Sequence, residues 1–283
     1  MKFKTQILGC FNFTPDSFSD GGQFFTVEKA IKQTEHLINS GADIIDVGAE
    51  SGKPRYIYQG DETLITQEEE WNRLKIILPQ IVELAHSRNV KVSLDTRNAK
   101  TAEKGLALNV DFINDATGIS DSNMIPVLSN SSAKIIISHN LGVPLIMGQF
   151  IPKGVNPITE IKQWLKDKTT MLINAGINRD RIIVDPGIGC GKNATQSLYI
   201  MKNIDKLKEL KYPICLGHSR KSCLMQFDPE DKIRDNPTVI ASSALFYKNI
   251  DFFRVHNAEI HSKAFKVIKT MFQITLKDVY DSL

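Results

Sequence analysis

Eight short runs of apolar and β-branched residues, at 6–11, 44–47, 91–94, 112–113, 134–137, 181–184, 213–216 and 252–255, punctuate this chain. Runs of that length, bounded by polar residues and separated by helical patterns, read as buried strands. Each empties abruptly into an acid, an amide or a base: Asn12, Asp46, Asp95, Asn114-Asp115, His139, Asp185, Ser219-Arg220-Lys221 and Arg254-x-His256. Strands alternating with helices through short connections imply a parallel sheet, and eight such units favour closure into a (β/α)8 TIM barrel over an open sheet. In that fold the strand ends at the C-terminal mouth carry the chemistry.

The 283 residues suit one barrel, so residues 1–283 are read as a single domain. Hydrophobic residues at 42% and charged ones at 24% fit a soluble globular chain with a sizeable core. A net charge of +3 is too small to argue for a nucleic-acid partner. No apolar run approaches the roughly 18 residues needed to span a bilayer, so no membrane role is expected. The basic start of the chain is read as leading into the first strand, not as a signal peptide. Cys10, Cys190, Cys215 and Cys223 lack CxxC spacing, which argues against a zinc site or a disulfide framework and for a reducing, cytoplasmic setting. Cys10 and Cys215 read as small buried strand residues.

Helical stripes are expected at 27–38, with Thr26 as cap and Gly41 as stop, and at 71–85, interrupted by Pro79. Further helices are expected at 100–108, 157–175, 197–210, 238–247 and 259–272. Two long polar loops, 13–25 and 48–66, follow the first two strands and would overhang the mouth; loops of that length are usually functional.

Asp95 and Asp185, each closing an apolar strand, would point into the mouth beside Asn114. Two carboxylates and an amide suit a flat heterocycle rich in N–H donors, although such acids also cap helices. Asp43 and Asp111 precede their strands and belong to the opposite, stability face. Arg254 and His256, two residues apart on the last strand, would make an oxyanion or phosphate clamp with Asn12. The competing reading for Arg254 is an ion pair to Asp46 or a loop acid. Ser219-Arg220-Lys221-Ser222 would open a helix whose N-terminus adds its own pull on anions. The 185–192 loop, Asp185-Pro186-Gly187-Ile188-Gly189-Cys190-Gly191-Lys192, lacks P-loop spacing; its glycines would let the backbone approach a planar ligand.

These residues resemble the dihydropteroate synthase family. The resemblance spans about residues 7–267 and rests on Asn12-x-Thr14-Pro15-Asp16-Ser17-Phe18-Ser19-Asp20-Gly21-Gly22, Asp43-Ile44-Ile45-Asp46-Val47-Gly48, Ser93-Leu94-Asp95-Thr96, Phe112-Ile113-Asn114-Asp115, the 185–192 loop, Ser219-Arg220-Lys221-Ser222 and Arg254-Val255-His256, in that order. It implies condensation of a dihydropterin diphosphate with p-aminobenzoate. Asp95, Asn114, Asp185 and Lys221 would bind the pterin; Asn12, Arg254 and His256 would hold the diphosphate, with Mg2+ at Asn12. Catalysis would fall to Asp95, Lys221, Asn12, Arg254 and His256. Lys53, Pro54, Arg55, Cys190, Arg220 and Ser222 would lie on the p-aminobenzoate side. The resemblance also implies a homodimer and a sulfonamide target.

The chain departs from the family in three places. Glu50-Ser51-Gly52-Lys53-Pro54 replaces Glu-Ser-Thr-Arg-Pro, so a bidentate guanidinium becomes a point charge unless Arg55 substitutes. Cys190 stands where an aromatic is common, and Ser138-His139-Asn140-Leu141-Gly142 replaces Met-His-Met-Gln-Gly. The alternatives are a pterin-binding paralogue without catalysis or with altered specificity, and a methyl-folate-binding methyltransferase domain, for which the phosphate-suited residues have no use.

Overall fold

The computed structural model describes residues 4–13, 27–50, 65–142, 146, 148–275, 278–279 and 282. Eight parallel strands form one sheet: β1 (Gln6–Asn12), β2 (Ile44–Gly48), β3 (Lys91–Asp95), β4 (Phe112–Asp115), β5 (Lys134–Ser138), β6 (Ile182–Asp185), β7 (Cys215–Leu216) and β8 (Phe252–Val255). Hydrogen-bonded neighbours run β6-β5-β4-β3-β2-β1-β8-β7, and a bridge between Val184 and Ile214 brings β6 to β7 to close the barrel. Cys215 and Leu216 form β7, and the rest of the run 213–216 extends its pairing, with Pro213 accepting the Val184 N–H and Ile214 bridging Val184.

Helices surround the sheet: α1 (Val27–Asn39), α2 (Gln67–Leu74), α3 (Leu78–Ser87), α4 (Ala99–Ala107), α5 (Met124–Ser129), α6 (Pro157–Asn174), α7 (Ala194–Lys202), α8 (Asp235–Phe246) and α9 (Ala258–Gln273). Pro79 divides the second stripe as expected, sitting in the first turn of α3, where its missing N–H is harmless. The stripe at 197–210 divides too: α7 stops at Lys202 and a 3-10 helix, Ile204–Leu210, follows. The helix expected from Ser219 onward is a 3-10 segment, Ser222–Phe227, with Lys221 at its N-cap position. Of the long loops, only 13, 48–50 and 65–66 lie among the described residues.

The core has two parts. Most of it packs helices on the outside of the sheet, while Leu8, Ile44, Phe112, Ile136, Ile183, Cys215 and Phe252 form a separate cluster with one residue from seven of the strands. Phe112 and Phe252 meet edge to face there, centroids 6.2 Å apart. This cluster plugs the barrel interior, since inward-facing residues of successive strands stack in layers. Strand side chains alternate with period two, so the next inward residues above the plug are Cys10, Asp46, Asn114, Ser138, Asp185 and Arg254. One alternation thus raises both the apolar floor and the polar mouth.

Candidate active site

The parallel register sets Asn12, Gly48, Asp95 and Asn114 side by side on consecutive strands. Gly48 leaves room there: a Cβ on it would stand 3.2 Å from that of Asp95. One layer deeper, Asp46 is completely buried. Arg254 reaches across from β8 and donates from Nε to Asp46 Oδ2 at 2.5 Å and from Nη2 to Asp95 Oδ2 at 2.6 Å. Asn114 donates its Nδ2 to the same Asp46 carboxylate, at 3.2 and 3.4 Å. Burial pushes the Asp95 carboxyl up to about 7, against the pull of Arg254 and with the push of Asp46. Both readings of Arg254 therefore meet in one place: it is paired to Asp46, and it stands at the mouth.

Asp185, from the end of β6, makes the far wall. Burial raises its pKa, opposed by the Gly187 N–H, which it accepts at 2.6 Å, and by the charge of Lys221. A Cβ on Gly217 would lie 3.4 Å from Asp185 Oδ2, so the bare backbone of that residue keeps space beside the carboxylate.

Packing gives two glycines of the 185–192 loop a further reason to lack a side chain. At φ +64, a Cβ on Gly187 would fall 1.9 Å from the His139 carbonyl oxygen; at φ +70, one on Gly191 would overlap the Leu141 side chain. Gly189 alone of the three faces Lys221.

His256 shares a hydroxyl with the loop after β7: Ser219 Oγ accepts its main-chain N–H at 3.2 Å and stands 2.9 Å from its Nδ1. Burial, followed by the charges of Arg220, Arg254 and Lys221, pushes its pKa down to about 3, so the imidazole is neutral at pH 7. With the Ser219 proton assigned to Nδ1, the ring carries its own proton on Nε2 and serves as a donor. Arg220, expected on the p-aminobenzoate side, is engaged by Asp235 through two bonds of 2.8 and 3.0 Å. Ser222 is exposed and Cys190 half-buried. Lys53, Pro54 and Arg55 lie outside the described residues.

Sequence reasoning offered Asp46 as a partner for Arg254 but missed its hold on Asn114, and it missed the contacts of Lys192. Asp46 had a signal, because an acid inside the buried run Ile44-Ile45-Asp46-Val47 must have a partner. Lys192 had none. Its buried Nζ stands 2.7 Å from His139 Nδ1 and donates to the carbonyls of His139 at 3.0 Å and Cys190 at 2.9 Å, tying the β6 loop to the end of β5. Burial lowers Lys192 to about 8 and His139 to about 3. A third network stands at the second loop: Glu50 pairs with Arg97 at 2.8 Å and accepts the Ile65 N–H, so one carboxylate joins residues 50 and 65.

The family model for pterin binding enzymes matches residues 8–256. A dihydropteroate synthase of Clostridium beijerinckii is 36% identical over 269 residues, 93% of each chain. The crystal structure of dihydropteroate synthase from Anaplasma phagocytophilum with bound 6-hydroxymethylpterin-monophosphate superposes with a TM-score of 0.85 at 46% identity, covering 95% of this chain and 99% of that one. That of Xanthomonas albilineans dihydropteroate synthase with 4-aminobenzoic acid gives 0.86 at 25% identity, covering 96% and 94%. The chain belongs to the pterin binding enzyme family, within its dihydropteroate synthase branch.

Proposed function

We propose that the chain joins p-aminobenzoate to 6-hydroxymethyl-7,8-dihydropterin diphosphate, forming 7,8-dihydropteroate and diphosphate in folate biosynthesis. The observation that carries this reading is the convergence of three hydrogen-bond acceptors, Asp95, Asn114 and Asp185, with Lys221 and Arg254 above an apolar barrel floor. The acceptors suit the N–H-rich edge of a pterin ring. When the C–O bond to the diphosphate breaks, its electron pair leaves with the diphosphate. The amine lone pair then forms the C–N bond, and the amine loses a proton. Asp95 and Asp185 stabilise the positive charge that spreads into the ring, while Asn12, Arg254 and the neutral His256 hold the leaving group by charge and hydrogen bonds.

Magnesium fits the mouth as a companion of the substrate. Among the described residues no group of three or more His, Cys, Asp or Glu side chains forms a metal cage. Mg2+ characteristically keeps waters and takes one or two protein oxygens together with substrate phosphates, a role the Asn12 amide oxygen suits. There it would neutralise charge on the leaving diphosphate.

A second copy of the chain is the partner we assign to α8 and α9, which pack together and expose Ile240, Val267, Met271 and Phe272. Sulfonamides, as aryl-amine analogues, would compete with p-aminobenzoate. A cytoplasmic location accords with the four free thiols, and among the described residues no helix is long and apolar enough to cross a membrane. The reading is tested with purified protein, dihydropterin diphosphate, p-aminobenzoate and Mg2+. Diphosphate release matched by dihydropteroate is the expected result; pterin binding without turnover would leave the non-catalytic paralogue.

A further inference from the structure

Asp46 is completely buried below the mouth, and two donors reach it among the described residues: Arg254 Nε and the Asn114 side-chain amide. An ionised carboxylate can only accept, so an amide beside it must turn its NH2 group inward. Asn114 does so, and its Oδ1 is left without a donor among the described residues. We infer that Asp46 is a positioning residue that sets the hydrogen-bond polarity of the pocket, holding Asn114 as an acceptor in line with Asp95 and Asp185.

The consequence is specificity. A side-chain amide is nearly symmetric in shape, so an unconstrained Asn114 could flip and present donors to a ligand edge that carries donors itself. With Asp46 beneath it, the pocket offers three acceptors and discriminates against ring edges that present carbonyl oxygens instead. Rejecting a mismatched polar partner costs more than an average hydrogen bond contributes, because the mismatched groups are buried and unpaired. The inference rests on the pterin reading of the mouth and adds the residue that determines its polarity.

The test is calorimetry with 6-hydroxymethylpterin, which has no phosphate and so separates Asn114 from the anion-binding role of Arg254. Asp46→Asn, nearly isosteric, is expected to raise Kd by about tenfold or more. In an Asn114→Ala background the same change should alter Kd by less than about threefold, because the effect travels through Asn114. Parent-like affinity in Asp46→Asn, or equal losses in both backgrounds, overturns the inference. If Asp46→Asn does not fold, NMR of the unsubstituted protein decides: strong NOEs from the Asn114 side-chain NH2 protons to the N–H protons of bound pterin would place its donors on the ligand and refute the assignment, whereas NH2 protons that stay slow to exchange and show NOEs only to protein protons at saturating pterin support it. A parent that binds no pterin removes the pterin reading and this inference with it, whereas pterin binding that survives Asp46→Asn unchanged removes only the inference.

Discussion

Aspartates stand at both ends of the barrel, and the two ends use them differently. At the N-terminal end Asp43, Asp111 and Asp251 each accept a main-chain N–H of a neighbouring strand: that of Ile7 at 2.8 Å, of Val92 at 2.9 Å and of Ile214 at 2.9 Å. At the C-terminal end Asp46 and Asp95 take up a guanidinium and an amide, and Asp185 is served by the Gly187 N–H. The cause lies in the direction of the strands. Where parallel strands begin, unpaired N–H groups are available to carboxylates; where they end, unpaired carbonyls repel them. Acids at the mouth must therefore find side-chain cations, loop amides or a ligand, which makes one end a register lock and leaves the other able to take a ligand.

The sharpest way to break this contrast is to remove the cation. Arg254→Met leaves Asp46 and Asp95 facing each other in a buried site, and about 3 kcal/mol of folding stability is expected to be lost in denaturant titration. Affinity for the dihydropterin diphosphate should fall far more than affinity for a phosphate-free pterin; equal losses would deny Arg254 its anion-binding role. Next in size, Asp185→Asn places N–H donors against N–H donors. Calorimetry should show pterin Kd raised by about 10- to 100-fold, equivalent to roughly 1.5–3 kcal/mol for a bond to a charged group, with the melting temperature little changed.

Asp111→Ala should do the reverse. It strands the Val92 N–H and removes the partner of His86 at 2.9 Å, costing about 1–2 kcal/mol of stability while pterin affinity stays as in the parent. A fall in affinity there would erase the division between the two ends.

A graded, pH-dependent effect follows from Asp95. Its pKa is raised from 3.8 to about 7, so its contribution to folding is fully present below about pH 4 and is lost as pH rises through about 7. Pterin binding runs the other way, because the ring N–H groups need the ionised carboxylate. Affinity should weaken by up to about tenfold per pH unit below pH 7 and level off above it. A flat profile from pH 5.5 to 8 would show that Asp95 meets no donor on the ligand.

How much of this was legible in the sequence depends on how local each signal is. The strands were visible because β-branched runs are short-range features, and Asp95, Asn114 and Asp185 were visible because they terminate such runs. The six residues of α5, with Pro126 inside, carry too little helical period to stand out. Asn203 divides the 197–210 stripe without the glycine or proline that would announce it. Asp46 showed itself as a buried acid, yet its hold on Asn114, 68 residues away, exists only once the register of β2, β3 and β4 is known. Lys192 and His139 are 53 residues apart with no spacing rule to join them. The packing need at Gly187 and Gly191 was hidden because the chain alone does not show that the β5 loop lies against them.

Calorimetric titration of the unsubstituted chain and of Asp185→Asn and Asp111→Ala with 6-hydroxymethylpterin at pH 7.5 decides whether the acceptors at the C-terminal mouth form a pterin site. One pterin per chain is expected in the parent, with severe weakening at Asp185 and parent affinity at Asp111. No binding by the parent, or equal affinities in the two variants, would contradict the pterin reading.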